Sequence, residues 1–331
     1  MSPFACTTRN SPTVGRHPTV LEVQNLARRA ARCHLPVLIT GETGTGKELL
    51  ARTVHVQSPR SDGPFVVVDC GVLSRDVARS ELFGHLRGSF TGAFENRCGL
   101  VKEARGGTLF LDEVGDLPGD LQPHLLRLLQ EGEFRPVGDS RIHRADVRLV
   151  AATHRELKQQ VLEHRFREDL FYRLNVIHLH LPPLRDRRSD IPLLIEHFVA
   201  KSQENGLRIR PLSPEVWMLL EGYDWPGNVR ELAHVISRAL LLAEGEQVYP
   251  SDLPPHIQAS GTSEADLYEL SYKEARRLSL DRFTREYLHR ALLRTGGNVS
   301  QAARESGIGR QYFQIRMAEH GFRADRYRGG D

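Results

Sequence analysis

A glycine-rich segment, Gly41–Lys47 with the sequence GETGTGK, has the residue types that bind phosphate. It lies between an apolar run that predicts a strand, residues 36–40, and a helical pattern over residues 47–55. In this context glycines let backbone N–H groups turn toward phosphate oxygens, the helix N-terminus favours an anion, and Lys47 reaches the β- and γ-phosphates. Position 48 is Glu, where the general pattern has a Ser or Thr whose hydroxyl ligates Mg²⁺. The residues predicted to bind nucleotide here are Gly41, Glu42, Thr43, Gly44, Thr45, Gly46, Lys47 and Glu48.

Two acids follow a second apolar run, Leu109-Phe-Leu-Asp112-Glu113. A strand that ends in this way places Asp112 at the carboxyl edge of a sheet, where it can hold Mg²⁺, directly or through water. Glu113 is then placed to orient and polarise an attacking water. Together with the loop upstream, the two acids predict an ATPase-type site with ATP and Mg²⁺ as its ligands.

A second glycine-bounded segment runs from Gly88 to Ala93 and contains Phe90 and Thr91. The residues allow two interpretations. The segment is either an ordinary turn with Phe90 tucked inward, or a loop that presents Phe90 and Thr91 to a partner.

Five apolar runs alternate with helical patterns in the first part of the chain, which predicts an α/β fold with a mostly parallel sheet covered on both faces. After residue 181 the pattern changes to helices alone, and residues 250–272 have the composition of a linker. The predicted organisation is a flexible N-terminus (1–13), an α/β subdomain (14–181), a helical lid subdomain (182–249), a linker (250–272) and a C-terminal helical domain (273–331).

The composition is that of a globular protein of two or three domains, with 331 residues, 40% hydrophobic and 26% charged. There is no apolar run of membrane-spanning length, and the N-terminus lacks the pattern of a secretory signal. The four cysteines stand singly, which fits neither a disulfide framework nor a zinc site. We therefore expect a cytoplasmic location, with no membrane partner.

Residues 273–331 are basic, with 13 Lys and Arg against 7 Asp and Glu, although the whole chain has a net charge of only +3. Three helices are predicted there: one over residues 281–294, a second that Asn298 caps, and a third over residues 310–320. A short helical unit of this kind is typical of a helix-turn-helix, whose second helix enters the major groove of DNA. An oligomerisation module is the alternative. The side chains predicted to face double-stranded DNA are Arg310, Gln311, Tyr312, Gln314 and Arg316.

Further sequence motifs make the resemblance to one protein family specific. In chain order they are GETGTGKE, ELFGH, GSFTGA, GGTLFLDEV, LLRLLQEGEFRPVG, AATHREL, FREDLFYRLNV, LPPLRDR and YDWPGNVREL. Over residues 14–243 the chain resembles the AAA+ domain of the bacterial enhancer-binding proteins, which activate sigma-54 RNA polymerase, and these proteins usually show GKE at the end of the loop. The tail is similar to their Fis-type DNA-binding domains. The resemblance implies an AAA+ P-loop NTPase with a parallel sheet and a helical lid, followed by a small all-α helix-turn-helix domain.

The resemblance also implies roles for single residues. Lys47 would bind phosphate, Asp112 would position Mg²⁺, and Glu113 would activate water. Thr153 and His154 match the position that senses the γ-phosphate. Further matches are the arginines that reach into a neighbouring subunit's site (Arg167 and Arg173), the lid arginine that contacts nucleotide in cis (Arg230) and the contact residues for sigma-54 (Phe90 and Thr91). For each of Arg167 and Arg173 alone, a surface ion pair is the alternative.

Two positions depart from the pattern of the family. Ser89 stands where the loop usually has Ala, a small change that should leave contact with sigma-54 intact. Asp69 stands where many members have Asn, which is thought to hold the catalytic glutamate until a partner binds. An ionised Asp69 cannot donate a hydrogen bond to Glu113 and would repel it. Either Asp69 is protonated or bridged, or the coupling of partner to hydrolysis differs in this chain.

The implied function is ATP-driven activation of sigma-54 RNA polymerase from an upstream DNA site by a homo-oligomer, a hexameric ring by resemblance. The AAA+ pattern begins near residue 14, so we expect either control by a separate regulatory protein in trans or a chain that is a fragment. The alternatives are a AAA+ remodeller of another partner, and a DNA-binding regulator whose ATPase is vestigial.

Overall fold

The computed structural model describes residues 14–72, 75–90, 93–259, 271–319 and residue 322. The chain forms two compact units, residues 1–259 and 260–331, and each is considered by itself. The first unit contains an α/β subdomain and a helical lid, and the described part of the second contains three helices.

A five-stranded parallel sheet forms the centre of the α/β subdomain. All five predicted apolar runs are strands of this sheet, so the predicted α/β class is confirmed. The inner strands are buried on both faces, whereas the two edge strands are only partly buried. The strands of the sheet are β1 (Val37–Thr40), β2 (Phe65–Asp69), β5 (Thr108–Asp112), β8 (Arg148–Thr153) and β9 (Ile177–His180). They lie side by side in the order β2-β5-β8-β1-β9.

Helices cover both faces of the sheet, because successive residues of each inner strand point to opposite sides. Leu109 and Leu111 join the hydrophobic core on one face, and Phe110 joins the core on the other. Two short hairpins extend from the sheet, one of β3 (Gly84–His85) with β4 (Arg97–Cys98) and one of β6 (Glu133–Phe134) with β7 (His143–Arg144). The helices are α1 (Pro18–Ala31), α2 (Lys47–Val56), α3 (Arg75–Phe83), α4 (Leu100–Glu103), α5 (Gln122–Glu131), α6 (Leu157–Leu162) and α7 (Glu168–Leu174).

The lid packs its own hydrophobic core around Trp225, which is fully buried and donates its indole N–H to the carbonyl of Leu220. The core includes Leu253 and Ile257, so the lid continues to residue 259 and the linker predicted from residue 250 begins too early. The lid elements are a 3₁₀ helix (Leu184–Asp190), α8 (Ile191–Glu204), α9 (Pro214–Gly222), α10 (Asn228–Leu242), a second 3₁₀ helix (Pro250–Asp252) and α11 (Pro255–Ala259).

Residues 271–319 of the C-terminal unit form three helices, α12 (Tyr272–Arg294), α13 (Val299–Glu305) and α14 (Arg310–Glu319). The first helix begins at Tyr272 rather than at residue 281 as predicted. Phe313 and Met317 of α14 are buried against Ala302 and Ala303 of α13, which confirms the predicted core face. Among the described residues, no helix has the length and apolarity that are needed to cross a membrane.

Asn298 caps α13, because its side-chain oxygen accepts the N–H of Gln301. We expect Asn298→Ala to reduce the free energy of opening of α13 by about 1 kcal/mol, and Asn298→Gly to reduce it by a few tenths only. Hydrogen exchange of peptides from residues 299–319 of the full chain measures this difference. Equal protection in the two variants would show that the cap contributes nothing.

Candidate functional site

The glycine-rich loop connects β1 to the N-terminus of α2, as predicted. Gly44 and Gly46 have positive φ angles of 81° and 103°, which side chains rarely adopt. A Cβ on Gly44 would lie 2.3 Å from the carbonyl oxygen of Gly227 in the lid, so glycine is also required there by close approach of the backbones. Thr45 is buried, and its hydroxyl closes the loop by donating to the carbonyl of Glu42 at 2.8 Å.

Lys47 points back into the loop and is only 6% exposed. Its Nζ donates to the carbonyl oxygens of Gly41 at 3.0 Å and Glu42 at 3.3 Å. It also forms an ion pair with Oε1 of Glu113 at 3.4 Å. The loop and the acidic strand end, which are about sixty residues apart in the sequence, therefore meet at this ammonium group.

Glu113 has both carboxylate oxygens engaged. Oε2 accepts the backbone N–H of His154 at 3.0 Å and contacts the ring Nδ1 of His154 at 2.7 Å. Burial by itself raises the pKa of Glu113, but the hydrogen bonds from His154 and the charge of Lys47 outweigh burial and hold the pKa below its usual value. The residue also adopts the left-handed conformation, with φ 51°, which turns its side chain toward β8.

Asp112 differs from its neighbour in its electrostatics. Burial and the adjacent charge of Glu113 raise the pKa of Asp112, and Lys47 only partly offsets them. A buried carboxylate of this kind is stabilised by a cation. It fits Mg²⁺, which takes one or two carboxylates together with waters and substrate phosphates. No cluster of three or more His, Cys, Asp or Glu side chains within the described residues could hold a metal by itself.

Asp69 does not contact Glu113. It pairs in register with Asp112 on the neighbouring strand, and its Oδ1 accepts the N–H of Gly71 at 2.9 Å. The hydrogen bond to Glu113 comes from His154 and not from position 69, where many members of the family have Asn. Thr153 lies beside His154 at the end of β8, where its Oγ1 accepts the N–H of Arg155.

The lid is fastened to the glycine-rich loop by polar contacts. Asn228 is fully buried, and its Nδ2 donates to Oε2 of Glu42 and to the carbonyl of Thr43, while its Oδ1 accepts the N–H of Leu184. Arg185 forms a bidentate pair with Glu42, and this hydrogen bonding lowers the pKa of Glu42.

Arg187 and Arg230 complete the contact between lid and loop. The buried Arg187 donates to the carbonyl of Thr45 at 3.1 Å. The N–H of Arg230 donates to the carbonyl of Gly44 at 3.2 Å, which places the exposed side chain of Arg230 beside the loop. Sequence analysis did not single out Asn228, Arg185 or Arg187 as site residues. The only signal for them was their position inside the PLRDR and WPGN motifs.

Glu48 is not directed into this group of contacts. Its carboxylate pairs with Arg52 one turn along α2, at 2.7 Å. The prediction that Glu48 binds nucleotide therefore depends on its backbone N–H, which lies in the first turn of the helix.

The two arginines predicted to act on a neighbouring subunit lie on α7 and at its N-terminus. Arg167 is exposed and forms a bidentate pair with Asp169, which is the surface ion pair named as the alternative. Arg173 donates weakly to the carbonyl of Leu129, at 3.4 Å, and lines a cavity of about 250 Å³ with His34 and Val176. Neither side chain bonds to a described residue of the loop 41–47.

The predicted contact loop is the tip of the β3–β4 hairpin. Phe90 is 40% exposed, and its ring packs edge-on against His85 with 5.0 Å between centroids. Ser89 lies against Gly138, at which a Cβ would stand 2.5 Å from the Cβ of Ser89. The hydroxyl of Ser89 is buried and has no partner among the described residues. Thr91 lies outside the residues that the structure describes.

Helix α14 has the predicted division into two faces. Arg316 donates to the hydroxyl of Tyr312 at 2.9 and 3.0 Å and lies over its ring, so these two side chains are held together. The side chains predicted to face DNA all lie away from the buried Phe313 and Met317, and they are exposed or partly exposed: Arg310, Gln311, Tyr312, Gln314 and Arg316.

A glycine-rich loop at a helix N-terminus, an Asp-Glu pair at the end of β5, which β8 separates from β1, and a helical lid on the loop define the AAA+ class of P-loop proteins. Three family profiles match the chain: the sigma-54 interaction domain over residues 13–180, the AAA+ ATPase lid domain over residues 185–269, and the bacterial regulatory proteins of the Fis family over residues 279–320. The chain belongs to the family that is defined by the sigma-54 interaction domain.

Named relatives agree with this assignment. The regulatory protein AtoC of Escherichia coli is 44% identical over 92% of this chain and 66% of its own length. The regulator NtrC of Rhizobium meliloti is 48% identical over 73% of this chain and 49% of its own length. The chain thus spans about half to two thirds of these relatives. The structure of NtrX from Brucella abortus in complex with ATP is similar with a TM-score of 0.68 and 34% identity, over 95% of this chain and 70% of that one.

The opposite pKa shifts of the two acids predict opposite effects on stability. Asp112 has a raised pKa when folded, so its contribution is lost as the pH rises through that pKa, and its charge is a cost at neutral pH. Glu113 has a lowered pKa, so its contribution is present at neutral pH and is lost as the pH falls through that pKa. We expect Asp112→Asn to raise the melting temperature of the nucleotide-free protein at neutral pH, and Glu113→Gln to lower it.

Melting curves without nucleotide at neutral pH and at about pH 4.5, near the usual range of carboxyl groups, measure both effects. The difference in melting temperature between each variant and the unsubstituted protein should be smaller at the lower pH. A shift of both variants in the same direction at neutral pH would contradict the assigned electrostatics.

Proposed function

We propose that the chain is an ATP-driven transcription activator that binds DNA upstream of a promoter and remodels the closed complex of sigma-54 RNA polymerase. The observation that supports it most directly is the buried ammonium of Lys47, held between the carbonyls of the glycine-rich loop and the carboxylate of Glu113. This arrangement has a positive charge and a carboxylate ready at the N-terminus of α2, where phosphate binds.

Each predicted residue has a role in hydrolysis that follows from its position. The phosphates of ATP offer Lys47 a stronger partner than Glu113, so nucleotide binding frees Oε1 of Glu113. Asp112 would hold Mg²⁺, which would supply positive charge to offset the charge that develops on the transferred phosphoryl group. Glu113 accepts the proton of the attacking water once its hydrogen bond with His154 is also released.

The remaining polar groups surround the phosphates. The backbone N–H groups of residues 41–48 bind the phosphate oxygens. Thr153 and His154, at the end of β8, sense whether the γ-phosphate is present. Arg230 contacts the nucleotide from the lid of the same chain. Arg167 and Arg173 reach the site of a neighbour in a homo-oligomeric ring, which requires Arg167 to exchange its exposed pair with Asp169 for phosphate.

Hydrolysis is coupled to the partner through the hairpin that carries Phe90 and Thr91. The docked Phe90 would leave His85 and contact sigma-54, while the face of α14 that carries Arg310, Gln311 and Gln314 holds the protein on the major groove of DNA. A relative named as a transcriptional regulatory protein, ZraR of Salmonella typhimurium, is 44% identical over 92% of this chain.

Substitutions in the two halves of the site separate nucleotide binding from hydrolysis. Glu113→Gln should abolish ATP hydrolysis and retain ATP binding, because only the base is lost. Lys47→Ala should lose both, since it removes the phosphate ligand, and Lys102→Ala, on the exposed face of α4, should lose neither. Phosphate release and equilibrium binding of a fluorescent ATP analogue measure the two properties. An unsubstituted protein that binds ATP without hydrolysing it would favour the regulator with a vestigial ATPase.

The sigma-54 partner is tested by trapping. Protein, sigma-54 and ADP–aluminium fluoride are mixed and run on a native gel, with Thr91→Ala as the matched control. We expect a stable complex that the control does not form. Aluminium fluoride mimics the transferred phosphoryl group and would hold the loop in the position in which it contacts sigma-54. If ATP is hydrolysed but no complex forms, the alternative of a AAA+ remodeller with another partner replaces this proposal.

A further inference from the structure

Gln122 has a buried side-chain amide whose polar groups are bonded to the backbone at three places. It is the first residue of α5 and is 1% exposed. Its Nε2 donates to the carbonyl oxygens of Leu117 at 3.3 Å and Arg165 at 3.0 Å, and its Oε1 accepts the N–H of Arg167 at 2.9 Å. Since both N–H groups and the oxygen of the amide are used, its orientation is fixed.

These bonds join two segments that are distant in the sequence. Leu117 ends the turn that begins at Glu113, and residues 165–167 lead into α7. The two shorter bonds go to the second segment, on either side of Phe166, which is 3% exposed and belongs to the hydrophobic core. Gln122 therefore acts mainly on the segment that ends in Arg167.

The chain immediately before that segment is strained. His164 has a positive φ of 54°, and the N–H groups of Arg165 and Phe166 both turn back to the carbonyl of Gln160. A non-glycine residue keeps this conformation only where the surroundings determine it. The amide of Gln122, together with buried Phe166, provides those surroundings.

The side chain of Arg167 is in the opposite situation. Its backbone N–H is fixed by Gln122, whereas its guanidinium is half exposed and paired with Asp169 on the surface. A pair of this kind is easily exchanged for another anion. The structure thus fixes the backbone of Arg167 and leaves its guanidinium group accessible to another anion.

We propose that Gln122 is the positioning residue of Arg167, which it aims at the nucleotide site of the adjacent subunit. This inference rests on the proposed function, because it takes Arg167 to act in trans. A displacement of about 1 Å at a catalytic group costs on the order of 100-fold in rate. Gln122→Ala should therefore reduce ATP hydrolysis by about that factor and leave nucleotide affinity unchanged.

Mixing of subunits tests the direction of the effect. Gln122→Ala has an intact nucleotide site of its own and a misplaced arginine, while Glu113→Ala has a dead site and an intact arginine. In a 1:1 mixture, about a quarter of the interfaces combine the good site with the good arginine, so the mixture should regain about a quarter of the unsubstituted rate. Gln122→Glu should behave in the same way, because its carboxylate would face two carbonyl oxygens.

Two controls make the outcome decisive. Arg167→Ala mixed with Glu113→Ala should be rescued to the same extent, and Gln159→Ala, a glutamine on the exposed side of α6, should keep the full rate alone. Rescue of Arg167→Ala without rescue of either Gln122 variant would overturn this inference and leave the trans arginine standing. Failure to rescue Arg167→Ala would overturn the trans assignment itself, and an unsubstituted protein without ATPase activity would overturn the proposed function.

Discussion

A buried ammonium group must have partners, and the arrangement of this site follows from how Lys47 finds them. A charge that is removed from water and left unpaired costs several kcal/mol. Lys47 has these partners in two loop carbonyls and in Glu113. One oxygen of Glu113 is thereby paired with Lys47, and under the proposed function the phosphates of ATP would compete for the lysine and release that oxygen.

Parallel strand pairing makes this convergence possible. Strands β5, β8 and β1 are neighbours in the sheet, and their carboxyl ends lead to Asp112, Thr153 and the glycine-rich loop. Because the strands run in the same direction, groups far apart in the sequence arrive at one edge. The lid contacts the loop directly, since Asn228 bonds to Glu42 and Thr43 of the loop and to Leu184 at the start of the lid. A movement of the loop on nucleotide binding would therefore be transmitted to the lid through these hydrogen bonds.

The sequence was sufficient for the five strands and the loop, because both depend on local patterns of apolar residues and glycines. It was not sufficient for contacts that join distant segments. Nothing near His154 indicates that its ring contacts Glu113, since this depends on the left-handed turn at Glu113.

Gln122 looks like an ordinary polar residue at a helix start, because its partners lie 43 and 45 residues further along the chain. The lid boundary was misplaced for another reason. The prolines around residue 250 are typical of a linker, but Leu253 and Ile257 are needed to complete the core around Trp225. Composition indicates where a chain turns, whereas burial decides which unit a segment joins.

In the observed position of the contact loop, the packing of Phe90 is favourable, whereas the burial of the Ser89 hydroxyl is unfavourable. The ring of Phe90 packs on His85, whose Nδ1 in turn lies 2.6 Å from the hydroxyl of Ser80 on α3. Beside it the buried hydroxyl of Ser89 has no partner among the described residues, which typically costs about 1–3 kcal/mol relative to a residue without the hydroxyl. Alanine, the usual residue of the family at this position, would avoid that cost. Under the proposed function, Ser89 therefore makes the observed position of the loop less stable than alanine would, and less of the energy of hydrolysis is needed to move the loop out of it.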